Sequence, residues 1–143
     1  MAISKKILLN NGIETNYHVI GMIESNAQNN ETTLFIHSFI SKEIYKEAIK
    51  KSSLLEEQKE LVKQFDELTE IENPTKTQQT KINRLQNKIN NLANEIDKAK
   101  DYGNFIAEEY MVDVSYQEDL SIKNLQNVLI EEFVLLKNAT IVA

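Results

Sequence analysis

LLEEQKELVKQFDELTEIENPTKTQQTKINRLQNKINNLANEIDKA, residues 54–99, holds two apolar stripes that mirror each other. Between Ile82 and Ala99 the apolar positions are Ile82, Leu85, Ile89, Leu92, Ile96 and Ala99. Their spacing alternates three and four without a slip, which is the period of a coiled-coil seam. Leu54, Leu61, Phe65 and Leu68 form a second seam upstream. Leu68 and Ile82, Phe65 and Leu85, Leu61 and Ile89, and Leu54 and Ile96 lie equally far from residue 75, as an antiparallel hairpin folding back there requires. Only Gln58, opposite Leu92, intrudes as a polar group. Asn73-Pro74 can end one helix and start the next, and Thr75 with Gln78 has the spacing of a capping box. The expected element is a long antiparallel coiled-coil helical hairpin over residues 43–101, turning at Asn73, Pro74 and Thr75. A parallel dimer with the seams paired between chains would need a straight run through Asn73-Pro74. Proline inside a helix costs about 3 kcal/mol or more, so reversal is cheaper.

Outside the hairpin the period changes to two. Odd positions from Ile13 to Ile23 read Ile, Thr, Tyr, Val, Gly, Ile, against Glu14, Asn16 and His18 on the even ones, the alternation of a strand. The polar cluster 24–30 separates it from Thr32–Ile40 (TTLFIHSFI), which is rich in β-branched and aromatic residues and makes an antiparallel partner. Ile3–Leu9 adds a strand closed by Asn10-Asn11-Gly12. Ser41 is the N-cap from which the first helix starts. After residue 104 the alternation returns, with Ile106, Tyr110, Val112, Val114 and Tyr116 on one parity. Asp119 or Ser121 then caps a short helix whose Ile122, Leu125, Val128 and Leu129 share a face, ahead of the apolar tail Thr140-Ile141-Val142. The fold class expected is α+β. Residues 1–42 and 102–143 form a small antiparallel β-sheet with a C-terminal helix, and its core is drawn from Tyr17, Val19, Tyr110, Val112, Val114 and Tyr116.

Composition narrows the function. Hydrophobic residues are 41% and charged residues 27% of the 143, near globular averages, so the chain folds rather than staying disordered. With 16 Lys+Arg against 22 Asp+Glu the net charge is −6, which repels a phosphate backbone, and Arg84 is the single arginine available for bidentate phosphate contacts. Nucleic acid is not an expected partner. The absence of cysteine removes disulfides, thiolate metal sites and thiol nucleophiles. Ile7-Leu8-Leu9 is too short for a signal-peptide core, and no segment approaches the roughly 18 apolar residues of a membrane span. Neither a membrane nor export is expected, and synthesis in a cytoplasm follows.

No constellation of side chains points to catalysis, a metal or a cofactor. Of the two histidines, His18 and His37, each falls in an expected strand. Cross-strand pairing could bring them together, but two imidazoles without a carboxylate ligand make a weak metal signal, and a half-exposed strand face is the favoured place for each. Gly12, Gly21 and Gly103 stand alone, so no phosphate loop exists. Glu108-Glu109, Glu118-Asp119 and Glu131-Glu132 are adjacent carboxylates, which in a strand point to opposite faces and read as solvated charge. Glu56 with Lys59, Glu60 with Lys63 and Glu95 with Lys98 are spaced for ion pairs on a wetted helix surface. The chain is expected not to be an enzyme.

The opening KKILLNNGIETNYHVIGMI, residues 5–23, carries a lysine-rich strand, a glycine turn and the strand Tyr17-His18-Val19-Ile20. The ending carries Tyr116-Gln117-Glu118-Asp119-Leu120-Ser121-Ile122, then Glu132-Phe133 and Asn138-Ala139-Thr140-Ile141-Val142. In both stretches the chain resembles a family of small proteins encoded among the tail genes of phages and prophages of Gram-positive bacteria. The similarity covers about residues 3–45 and 105–143, whereas residues 50–101 depart from the compact relatives and look like an insertion. The resemblance implies a structural or accessory protein of the tail tip, baseplate or tail-fibre attachment, made in the host cytoplasm and then carried in the virion tail. Its implied partners are other tail, baseplate or tail-fibre proteins, and it allows a homo-oligomer within a symmetric particle. A cytoplasmic assembly factor or chaperone for tail fibres is the alternative, with the hairpin gripping a partner helix. The family implies no catalytic residues.

Overall fold

The structure, a computed structural model, describes residues 1–143. The elements run β1 (Ala2–Leu8), β2 (Glu14–Asn26), β3 (Glu31–Phe39), α1 (Lys42–Thr69), α2 (Lys76–Lys98), β4 (Glu108–Ser115), α3 (Ile122–Glu132) and β5 (Thr140–Val142), with 3-10 turns at Tyr102–Phe105 and Val134–Leu136. The fold is α+β. Its five strands form one sheet in the order β4-β3-β2-β1-β5, every neighbouring pair antiparallel, and α3 is the C-terminal helix. No helix is long and apolar enough to cross a membrane. The chain divides into two compact units, Met1–Lys46 with Phe105–Ala143, and Glu47–Asn104. The divisions fall a few residues from the 42/43 and 101/102 boundaries expected from the sequence.

In the sheet unit the turns follow from residues that tolerate unusual backbone angles. Gly12 has φ +84° and lets the Leu9 N–H reach Ile13 O at 2.8 Å, which reverses β1 into β2. Between β2 and β3 the Asn26 side chain accepts from the N–H groups of Gln28 and Asn29 at 3.0 and 3.2 Å, and Asn30 takes φ +53°, a region asparagine occupies more readily than bulkier residues. Two bulges interrupt the ladders, one in β1 between Ser4 and Ile7 and one in β2 between Ile20 and Met22. α3 starts at Ser121, whose hydroxyl accepts from the Asn124 N–H at 3.3 Å. Asp119 instead accepts from the Ser121 N–H at 2.9 Å, and that bond holds its carboxyl below the usual range. Leu34 and Ile36 of β3 and Val114 of β4 pack with Leu125, Val128 and Leu129 of α3, and Leu136 completes the same cluster.

β4 ends sooner than the alternation suggested. The Ser115 N–H is taken by Glu132 of α3 at 3.0 Å, and the Gln117 N–H goes to Thr32 Oγ1 at 3.0 Å. Tyr116 therefore lies past the strand and is only half-buried, outside the core cluster.

In the helical unit, α1 and α2 span 28 and 23 residues. The Ser41 hydroxyl accepts from the Ile44 N–H at 3.2 Å, so α1 begins where its cap predicts. Thr75 and Gln78 make both bonds of the capping box, Gln78 N–H to Thr75 Oγ1 at 3.2 Å and Thr75 N–H to Gln78 Oε1 at 2.9 Å. α1 stops at Thr69, before Asn73-Pro74, and Asn73 takes φ +51°. Pro74 thus lies in the connection ahead of the cap, not inside the first turn of α2. Of the seam residues, Leu85, Leu92 and Ile96 are buried, while Leu54, Leu61, Phe65, Leu68, Ile82 and Ile89 are half-buried. Lys51 pairs with Asp101 at 2.6 Å. The expected pairs Glu56 with Lys59, Glu60 with Lys63 and Glu95 with Lys98 do not close to ion-pair distance.

Candidate functional site

Strand register places the polar side chains of the sheet. His18 is opposite Ser38, and Val19 is opposite His37. Successive side chains alternate sides, so the two histidines lie on opposite faces and cannot share a ligand. No three of the His, Asp and Glu side chains are close enough together to hold a metal ion.

His18 is 1% exposed, not half-exposed as its strand position suggested. Its Nε2 lies 2.7 Å from the Lys5 carbonyl oxygen and its Nδ1 lies 2.7 Å from Ser38 Oγ. A carbonyl oxygen only accepts, so Nε2 carries the proton and Nδ1 accepts from the Ser38 hydroxyl. The bulge in β1 explains the partner, because it frees the Lys5 carbonyl from the ladder and His18 satisfies it. Burial pushes the imidazole below its ordinary value of 6.5, against the opposing pull of the Lys5 bond.

This coupling gives a pH dependence with a definite sign. A histidine whose folded-state pKa is depressed stays neutral in the native state while the unfolded chain takes up protons. Its contribution is complete above pH 6.5 and is lost as the pH falls from there through the lowered folded value. Urea unfolding at pH 7.5 and 5.5 should show the midpoint falling, and an NMR titration should place the His18 midpoint below 6.5. His18→Leu should remove that part of the slope and cost about 1–3 kcal/mol at pH 7.5, since the Lys5 carbonyl and Ser38 hydroxyl lose their partner. A slope unchanged in the variant would refute the assignment.

The opposite face carries Tyr17, Val19 and Met22 from β2, Thr33, Phe35, His37 and Phe39 from β3, and Glu109, Met111 and Asp113 from β4. At one end Tyr45, in the first turn of α1, closes over Tyr17 and Phe39 with ring centroids 5.1 Å from each. Burial, then Tyr45, raises the Tyr17 phenol above its ordinary value, so it is neutral at physiological pH. Further along, His37 lies over Gly21, where any Cβ would collide with its ring, and His37 Nε2 reaches Glu109 Oε2 at 2.8 Å. Gly21 is needed at this bulge for that close approach.

The expected sheet core is thus split. Tyr110, Val112 and Val114 face α3, whereas Tyr17 and Val19 are buried on the other side. All six of the paired carboxylates are exposed, yet Glu109 and Glu132 each have a defined partner. Gln126, 1% exposed, leaves its side-chain oxygen buried without a partner. Its position between Leu125 and Val128 gave no sign of that. No protein-family model, curated protein or solved structure matches the chain.

Proposed function

We propose that this chain is a structural protein of a phage tail, built into the tail tip, baseplate or tail-fibre attachment, where it makes protein–protein contacts and catalyses nothing. The observation that carries the reading is the meeting of the two resembling stretches in one folded unit. The first supplies β1 and β2. The second supplies α3 and β5, and β5 pairs back on β1 through Ala2 with Val142, Ile3 with Ile141 and Ser4 with Thr140. Segments that carry a shared pattern at both ends of a chain, and fold together, are suited to a shared docking role.

The helical unit is then a spacer or a contact for a neighbouring subunit. We read α1 and α2 as an antiparallel coiled coil closed along the mirrored seams. Burial of Leu85, Leu92 and Ile96 supports this, as does the position of Leu61, which lines one depression with Leu85 and a second with Leu92. The protein is made in the host cytoplasm and carried in the virion tail.

Mass spectrometry of purified particles should find the chain in finished tails at a fixed ratio to the other tail proteins. Its presence during assembly but absence from finished particles would make it an assembly factor or chaperone. Absence from both would overturn the reading.

A further inference from the structure

β4 is an edge strand, and no strand pairs with its far side. The Ser115 N–H points outward and is taken by Glu132 Oε1 at 3.0 Å, while Ser115 Oγ donates to Glu132 Oε2 at 2.8 Å. Successive N–H groups along an antiparallel strand point to alternate sides, so those of Asp113, Met111 and Glu109 share the outer edge with that of Ser115. α3 closes the edge at Ser115. The Glu109 N–H is taken locally by Glu108 Oε1 at 3.2 Å, and the stretch from Met111 to Asp113 stays open.

The side chains over this opening form three rows. Met22, Phe35 and Met111 stand in register across β2, β3 and β4, with Met22 49% and Met111 68% exposed. On one side of that row His37 pairs with Glu109 at 2.8 Å, and on the other Thr33 Oγ1 donates to Asp113 Oδ1 at 2.6 Å. An apolar row therefore runs out to the open edge at Met111 between two exposed carboxylates. Tyr110 and Val112, pointing to the other face, are half-buried apolar neighbours of the core.

Charge selects the occupant. Pairing with a second copy, antiparallel and centred on Met111, would set Glu109 opposite the other copy's Asp113 twice over, and like charges directly opposite are destabilising. The net charge of −6 adds to the repulsion. A strand with lysine or arginine at those two places and an apolar residue between them meets the edge with every feature matched. We propose that the outer edge of β4, from Glu109 to Asp113, takes up an extended strand of a different protein with basic residues beside Glu109 and Asp113 and apolar residues beside Tyr110, Met111 and Val112, the strand displacing the exposed Glu108 side chain from the Glu109 N–H. Main-chain bonds to the outer edge supply the affinity, and the alternating side chains supply the choice of partner. The inference goes beyond the assignment to a tail and does not depend on it.

A fluorescent peptide with a Lys-Val-Ile-Val-Lys centre in a Gly-Ser flank serves as the probe, against the same peptide with Glu in place of both Lys. The full chain should bind the lysine peptide about tenfold more tightly, from two favourable cross-strand pairs set against two repulsive ones. Binding should slow hydrogen exchange at the open amides of Met111 and Asp113. E109K with D113K should reverse the preference. Met111→Pro, which removes one outward donor at a position where an edge strand tolerates proline, should abolish binding with the unfolding midpoint retained. Equal binding of both peptides, an unreversed preference in the double variant, or binding without protection of those amides would overturn the proposal. So would self-association of the chain that protects the same amides in the absence of peptide.

Discussion

Phe39→Ala is expected to destabilise the sheet unit by about 3–5 kcal/mol, the range for truncating a fully buried phenylalanine. Phe39 is 0% exposed at the end of β3. It packs edge-on against Tyr45 at 5.1 Å with an interplanar angle of 64° and is paired in register with Tyr17, whose own ring lies 5.1 Å from Tyr45. Removing the ring leaves a void between all three elements and forfeits an aromatic pair worth about 0.5–1.5 kcal/mol beyond its area. Against a total stability of about 5–15 kcal/mol for a domain, the loss is a large fraction. Urea unfolding followed by circular dichroism at pH 7.5 measures it. Phe39→Leu refills much of the volume and should recover a good part of the loss. A cost for Phe39→Ala near that of an ordinary surface change, within about 0.5 kcal/mol, would mean that the aromatic cluster does not close this face.

Leu129→Ala is the matching test of the other face. Leu129 is 0% exposed, as are Leu125 and Leu136, and the three meet Leu34 and Ile36 of β3 in one cluster. A cavity here cannot fill by a small shift, because α3 is tied to β4 through both oxygens of Glu132. The cost should reach the upper part of the about 2–5 kcal/mol range for buried leucine. Loss of α3 docking should also expose β4, so hydrogen exchange at Val112 and Val114 should quicken along with that at Leu125. If the exchange increase were confined to α3, the helix would be a separable attachment rather than one wall of the core.

Locally determined features were legible in the sequence. The Thr75 and Gln78 capping box, the Ser41 cap and the Gly12 turn each follow from a few neighbouring residues, and each is present. Their hydrogen bonds close within a handful of positions, so no distant segment is needed to specify them. The two faces of the sheet were not legible in the same way. A period of two shows that side chains alternate, but it cannot say which parity is covered when both faces receive apolar groups. Here α3 covers one side and Tyr45 of α1 caps part of the other. Tyr17 and Val19 consequently separate from Val112 and Val114, and His18 moves from an expected wet face to a buried site whose acceptor, the Lys5 carbonyl, exists only because β1 bulges. The open edge of β4 has the same origin. Glu109, Met111 and Asp113 can be read as an alternating strand from the residues alone, but whether that strand lies at the edge is set by the order β4-β3-β2-β1-β5. That order comes from pairings between segments far apart in sequence, such as Ala2 with Val142. Non-local pairing is decided by which surfaces the whole chain buries, and no local window of residues carries that information.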